Sequence, residues 1–226
     1  MFDNDQTIRS VMLLSVSPCQ TPAVPSNMAR SLRPYGPGAA QFSSCGTWRY
    51  MLSRDLSLAI TSTIRRPGLL LSIGLNPSTA TGENDDPTIH KESSFAIVWG
   101  YALYLKANAY SYRATEPDDM FAARDRGIDI VGPDNDAAIR DAVDRVRREG
   151  GRVLAAWGQH IDLARQRAIA QLLIGVEVVC VAVNKDGSPS HPLYKRGDNL
   201  QAWTCPVEVS AARGKSARRA RAQPPG

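Results

Sequence analysis

From Leu69 to Val183, short apolar runs alternate with longer stretches in which apolar residues recur at helical spacing. Leu69–Leu75 is nearly all apolar and predicts a buried strand, and Leu103–Asn108, Arg152–Trp157 and Val176–Val183 predict three more. The segments between them predict helices. Thr88 to Tyr101 carries Ile89, Phe95, Val98 and Trp99 on one apolar face, and Glu116–Arg124 is a shorter helix. Asp134–Glu149 places Ile139, Val143 and Val146 at helical spacing among charges, and Ile161–Leu173 is the last helix. Pro133 before the third of these and Gly150-Gly151 after it are start and stop signals. Strands alternating with helices predict a parallel sheet covered on both faces. The expected fold is a three-layer α/β/α domain with a central, mainly parallel four-stranded sheet. Thr47–Leu52 and Leu58–Ile64, separated by Arg54 and Asp55, add an N-terminal antiparallel β-hairpin.

The ends of the chain read differently. Residues 17–40 are rich in Pro, Ser, Gly and Ala, so residues 1–40 are expected to be a flexible leader. Residues 41–205 form a single α/β domain, and residues 206–226 a basic disordered tail. The net charge of +5 suggests a polyanionic partner, but the tail supplies most of it. Arg213, Lys215, Arg218, Arg219 and Arg221 lie there against Glu208 alone, which leaves the rest of the chain nearly neutral. The apolar run Val11–Val16 is short and follows Asp3 and Asp5, so it does not read as a signal peptide. No stretch approaches the ~20 apolar residues of a membrane helix. Four cysteines without a C-x-x-C pair, and three histidines, argue against a structural zinc site. No metal, no cofactor and no membrane contact are expected, and a reduced, cytoplasmic setting is the default.

Each of the four predicted strands runs out into a polar turn rich in Gly or Pro. These turns are Gly74–Ser78, Asn108-Ala109-Tyr110, Trp157–His160 and Asn184–Pro192. In an open parallel sheet the carboxyl ends of the strands share one crevice, where ligands bind. Asn76, with Pro77 biasing it away from helix, can turn its amide toward a substrate oxygen or a water, although Asn-Pro turns commonly bond only themselves. Asp86 before Pro87 is foremost a helix cap, and alternatively a carboxylate at the crevice rim. Asn108 can read both a donor and an acceptor on a base edge, or tie down its own turn. Phe95 can stack a base or join the core. Gly158 permits a sharp turn into a helix, and His191 is the foremost candidate for contact with a substrate oxygen. There is no P-loop, no G-x-G-x-x-G and no G-x-S-x-G elbow.

Several motifs occur together in order: Asn76-Pro77-Ser78-Thr79-Ala80, Asp85-Asp86-Pro87-Thr88, Trp99-Gly100-Tyr101, Tyr112-Arg113-Ala114-Thr115, Gly132–Asp136, Ala156-Trp157-Gly158 and Lys185–Tyr194. Over roughly Gly46 to Trp203 this set resembles a bacterial and phage family known as a domain of unknown function, number 1643. The ordered turns also look, more distantly, like those of the uracil-DNA glycosylase superfamily. Gly74-Leu75-Asn76-Pro77 is similar to that superfamily's first motif, where the Asn positions the hydrolytic water. Leu103–Asn108 resembles the strand whose terminal Asn reads the base, and Leu154–His160 the Leu-Trp-Gly strand end. Ser188-Pro189-Ser190-His191-Pro192-Leu193 is similar to the His-Pro-Ser-Pro-Leu loop, with the histidine after rather than before Ser-Pro-Ser.

The resemblance implies a nucleobase-handling protein that hydrolyses an N-glycosidic bond at a modified or mismatched base. Asn76 and His191 would be its catalytic residues. Pro77, Ser78, Asp86, Phe95, Asn108, Gly158, Lys185, Ser188 and Ser190 would bind the substrate, with a nucleic acid or nucleotide as partner. The alternatives are a non-catalytic nucleic-acid or nucleotide-binding module and a hydrolase of small nucleotides.

Overall fold

The computed structural model describes residues 38–60 and 65–205. The basic tail and most of the expected leader therefore lie outside the described residues. In chain order the elements are β1 (Gly38–Phe42), β2 (Arg49–Asp55), β3 (Leu69–Gly74), α1 (Pro87–Val98), β4 (Leu103–Asn108), α2 (Pro117–Asp125), α3 (Asn135–Glu149), β5 (Gly151–Ala155), α4 (Leu163–Leu172), β6 (Val178–Cys180) and β7 (Gln201–Ala202). All seven strands join one sheet in the order β1-β2-β4-β3-β5-β6-β7.

The expected four-stranded sheet is thus too small. β4, β3, β5 and β6 run parallel to their neighbours, but the pairings β1–β2, β2–β4 and β6–β7 are antiparallel, and the sheet is mixed. No helix separates β1 from β2, and only the short 3-10 turn Pro192–Tyr194 separates β6 from β7, so the strand–helix alternation could not announce the sheet's edges. The N-terminal hairpin also has other partners than expected. β2 pairs with residues 38–42, the last of which lie at the boundary of the supposed leader, and Leu58–Ile60 form no strand. Residues 61–64, the rest of the expected second strand, lie outside the described residues.

The core forms two clusters, one on each face of the sheet. Leu69, Leu71, Ile73, Leu105, Ala107, Val153 and Ala155 face α2, α3 and α4, meeting Met120, Ile139, Val143, Val146 and Ile169. Leu52, Leu70, Tyr104, Leu154 and Val179 face α1, meeting Ile89, Phe95 and Ala96. Burial on both faces explains why β3 has no polar alternation, since all six of its residues are covered.

α1 departs from the expected apolar face. Its buried positions are Ile89, Glu92, Ser93, Phe95 and Ala96, while Val98 is 71% exposed. The spacing 89, 92, 93, 96 is that of one helical stripe. A charged residue therefore occupies the middle of the face turned to the sheet, and Val98 falls on the opposite side. Among the described residues, no helix is long and apolar enough to cross a membrane.

Gly151 opens β5 with φ +120, and a Cβ there would lie 2.0 Å from the Leu69 carbonyl oxygen on β3. Backbone on both sides leaves no flexible group to give way. Gly151→Ala is expected to cost about 2 kcal/mol or more, lowering the urea midpoint without changing the slope of the transition.

Candidate functional site

Because β3 and β4 are parallel and in register, Gly74 sits beside Asn108 where both strands end. β2 runs the other way, with Leu52 opposite Lys106, so its first residue, Arg49, is delivered to that same end of the sheet. The turn after β3, the turn after β4 and the start of β2 therefore meet. Ala109 and Tyr110 donate backbone bonds to Gly74 and Leu75, and Ala114 to Pro77.

The floor of this region is charged. Lys106 Nζ donates to Glu92 Oε1 and Oε2 at 2.8 and 2.9 Å and to Ser72 Oγ at 3.2 Å. The Tyr104 hydroxyl donates to the same carboxylate. All four side chains are buried. Burial, reinforced by the negative charge of Glu92, holds the Tyr104 phenol well above its ordinary range, so it remains a donor. Lys106 lies in an otherwise apolar strand and Glu92 on the buried stripe of α1. Those two misplaced charges are the signal of this pair that the sequence carries.

Asn108 stands next to this network. It is only 1% exposed, yet among the described residues neither Oδ1 nor Nδ2 has a hydrogen-bond partner. A Cβ on Gly74 would come within 2.9 Å of Asn108 Oδ1 and 2.8 Å of Lys106 Nζ. Glycine is needed there because both polar ends close over its Cα. Below, Asn135 Nδ2 donates to the backbone carbonyls of Asn108 and Ala109 at 3.0 and 3.2 Å, which fixes the strand end while leaving the Asn108 amide unused.

The other expected residues divide into those at the strand ends and those held in local roles. Asn76 is half-buried, and its Nδ2 donates to Ala114 O at 2.8 Å and Pro77 O at 3.3 Å, locking the first turn to the segment after β4. Pro77 is buried in that turn, with Ser78 half-buried beside it. Asp86 caps α1, its Oδ1 accepting from Ile89 N at 2.8 Å, and it lies near enough to Arg49 to raise that residue's pKa. Phe95 is stacked on Trp99 with ring centroids 5.3 Å apart, and a Cβ on Gly197 would meet its ring at 2.4 Å. Its faces are thus occupied by protein.

The last loop is stitched to itself. Ser188 Oγ donates to Asp186 Oδ1 at 2.7 Å, Ser190 Oγ donates to Asn184 Oδ1 at 2.6 Å, and Asn184 Nδ2 donates to Ser188 Oγ at 2.9 Å. Ser188 and Ser190 therefore shape the loop, and Lys185 is exposed on it. The loop presents His191 against Gly158, where an added Cβ would lie 3.9 Å from His191 Cβ. Gly158 itself has φ +72, a conformation that favours glycine.

Leu193 N donates to His191 Nδ1 at 3.4 Å, which assigns the imidazole proton to Nε2. Burial pushes the His191 pKa down although the side chain retains exposed surface; the charge of Lys106 acts the same way, opposed by Glu92 and Asp86. His191 is therefore a neutral donor at pH 7. Two arginines, Arg49 and Arg113, complete the region and were not singled out from the sequence. Burial lowers Arg49 to about 10, against the attraction of Asp86.

Two outcomes follow from these charges. Glu92→Ala leaves Lys106 buried without its carboxylate and is expected to cost about 3–5 kcal/mol. The double replacement Glu92→Leu with Lys106→Met should cost less than the sum of the single ones, as a double-mutant cycle by urea denaturation measures. For His191, the folded state binds its proton less readily than the unfolded chain. That contribution to stability is present above the unfolded value of about 6.5 and declines as pH falls through the window beneath it. His191→Gln should remove this part of the pH dependence of the thermal midpoint and leave the acid limb set by carboxylates.

Among the described residues no group of three or more His, Cys, Asp or Glu is placed to hold a metal ion. Among the described residues, Cys180 and Cys205 are buried free thiols. Searches of the curated proteins and of the solved structures find no match. Residues 49–193 match the family described as Protein of unknown function (DUF1643), a span that contains the first turn, the Lys106–Glu92 pair, Asn108, Gly158 and His191. The match covers well over half of the chain, and the chain belongs to this family.

Proposed function

We propose that the protein holds a nucleobase at the carboxyl ends of β3, β4 and β5 and hydrolyses its N-glycosidic bond. The observation that carries this reading is the Asn108 amide, buried with donor and acceptor both unused. Leaving both ends of a buried amide unpaired is costly, and a base edge offers the matching acceptor and donor. Further support comes from the likeness of the ordered turns to the uracil-DNA glycosylase superfamily and from the four parallel neighbours β4-β3-β5-β6.

In the proposed reaction the oxygen of a water bonds to the anomeric carbon while the carbon–nitrogen bond to the base breaks. The electron pair leaves with the base, which takes up the proton released by the water. Asn76 orients that water through Oδ1, since its Nδ2 is engaged with Ala114. His191 donates Nε2–H to the negative charge developing on the base. Phe95 supports the wall of the site and does not stack, because Trp99 and Gly197 cover its ring. The substrate is a modified or mismatched base in a nucleic acid or nucleotide.

A second reading, binding without chemistry, draws on Asn76. An amide cannot take up a proton at neutral pH, and half of this one is tied to the backbone. The experiment that separates the two is incubation with DNA, RNA and nucleotides bearing uracil, mismatched or modified bases, with free base followed by mass spectrometry. Base release is expected with at least one substrate. Asn76→Ala should lower that rate by about a hundredfold or more with folding intact. Asn108→Ala should weaken binding by about ten- to a hundredfold. Tight binding with no base release anywhere in the panel would establish the non-catalytic reading instead.

A further inference from the structure

Arg49 and Arg113 come from different segments, one opening β2 and the other following β4, and they share one bonding pattern. Arg49 Nη1 donates to the carbonyl of Ala80 at 2.8 Å, and Arg113 Nη1 to the carbonyl of Gly46 at 3.1 Å. In both, Nε is buried without a partner among the described residues. Among the described residues neither makes a hydrogen bond through Nη2. Each guanidinium is thus anchored by one end while its Nε/Nη2 edge is unengaged. That edge presents two parallel N–H groups, the geometry with which arginine takes an oxyanion in a bidentate manner.

The surroundings hold the pair in place. Arg49 is 1% exposed. Arg113 is half-buried, its guanidinium 4.9 Å above the Phe42 ring. The nearby charges do not close either free edge. Asp86 attracts Arg49 but gives its oxygen to the α1 cap, and Arg54 and Asp85 form their own ion pair at 2.6 Å. Arg113 lies close enough to lower the pKa of Arg49. Two cations brought together without a shared anion repel one another, an arrangement that a bound anion would reverse in sign.

The position matters as much as the pattern. Arg49 N donates to Ser111 O and Arg113 N to Thr47 O, so the start of β2 is laced to the turn that begins at Asn108. Ala80, which anchors Arg49, closes the turn that begins at Gly74. We infer that Arg49 and Arg113 form an oxyanion site that holds a phosphate group of the nucleotide whose base reaches Asn108. This rests on the nucleobase reading above and extends it: the substrate is phosphorylated, either a free nucleotide or a link of a nucleic-acid backbone, and not a nucleoside or free base. Arg113, at the outer side, meets the phosphate first, and Arg49 receives it in the interior.

The test uses the full chain, titrated calorimetrically with nucleosides of the DNA bases and of uracil, their 5′-monophosphates and short single-stranded oligonucleotides. Inorganic phosphate is added separately in thermal unfolding. At least one monophosphate or oligonucleotide should bind about tenfold or more tighter than the corresponding nucleoside. Arg113→Gln should abolish that ratio and leave nucleoside affinity unchanged, while Arg113→Lys, which keeps the charge but loses the fork, should restore it only in part. Preference for the oligonucleotide places the phosphate in a backbone, and preference for the monophosphate places it in a free nucleotide. If no nucleoside binds, yet inorganic phosphate raises the thermal midpoint of the wild type and not of Arg113→Gln, the oxyanion site stands and the nucleobase reading fails. Equal affinity for nucleoside and phosphorylated ligands, or a ratio that survives Arg113→Gln with no effect of phosphate on unfolding, overturns the inference. The ligand-free midpoint of each variant identifies any that fails to fold.

Discussion

A lysine in the middle of a buried strand sets the terms for the whole carboxyl end of the parallel strands. Lys106 lies on β4, between β2 and β3, where it is only 3% exposed and poorly placed for solvation. It is tolerated because Glu92 supplies both carboxylate oxygens and Ser72 a third contact. Glu92 can do so only from the sheet-facing stripe of α1, which fixes the rotation of that helix and turns Val98 outward. The cap at Asp86 fixes where the helix begins, so the first turn, α1 and β4 become one rigid unit.

Buried pairs of this kind seldom add stability over an apolar replacement, since desolvating two charges offsets much of their attraction. Their value here is positional. The ammonium group reaches the space above Gly74, beside an amide with no partner, and it biases His191 toward the neutral form. A cluster of unsatisfied polar atoms at one end of a sheet otherwise packed with leucine, isoleucine, valine and alanine is a local cost in stability. Such costs gather where a ligand later provides the missing partners. Asn108, Arg49 and Arg113 fall in that one place, whereas Ser188 is satisfied by Asp186 and Ser190 by Asn184, and they carry no such tension.

Much of the fold was legible from periodicity. The four apolar runs became β3 to β6, and the helical spacing of Ile139, Val143 and Val146 became the buried stripe of α3. The sheet's edges were not legible. β1 lies in a stretch that reads as a leader, and its pairing with β2 is a contact between backbones that no side-chain pattern encodes. At the site, Asn108 and His191 stood out because a polar residue at a strand end is conspicuous. Arg49 and Arg113 did not, for each looks like a surface charge until the chain reversal at β2 brings them together.

The sequence by itself determined the four central strands and the helices around them, because hydrophobic period is a local property, and it placed polar residues in the turns where those strands end. Only the tertiary structure decided which of those groups have partners. Asn76 and Asn108 are the same residue type in similar turns, yet one amide is tied to Ala114 and the other is left open. Hydrogen-bond satisfaction depends on neighbours dozens of residues away, and that is a property of packing and register, which no single stretch of chain contains.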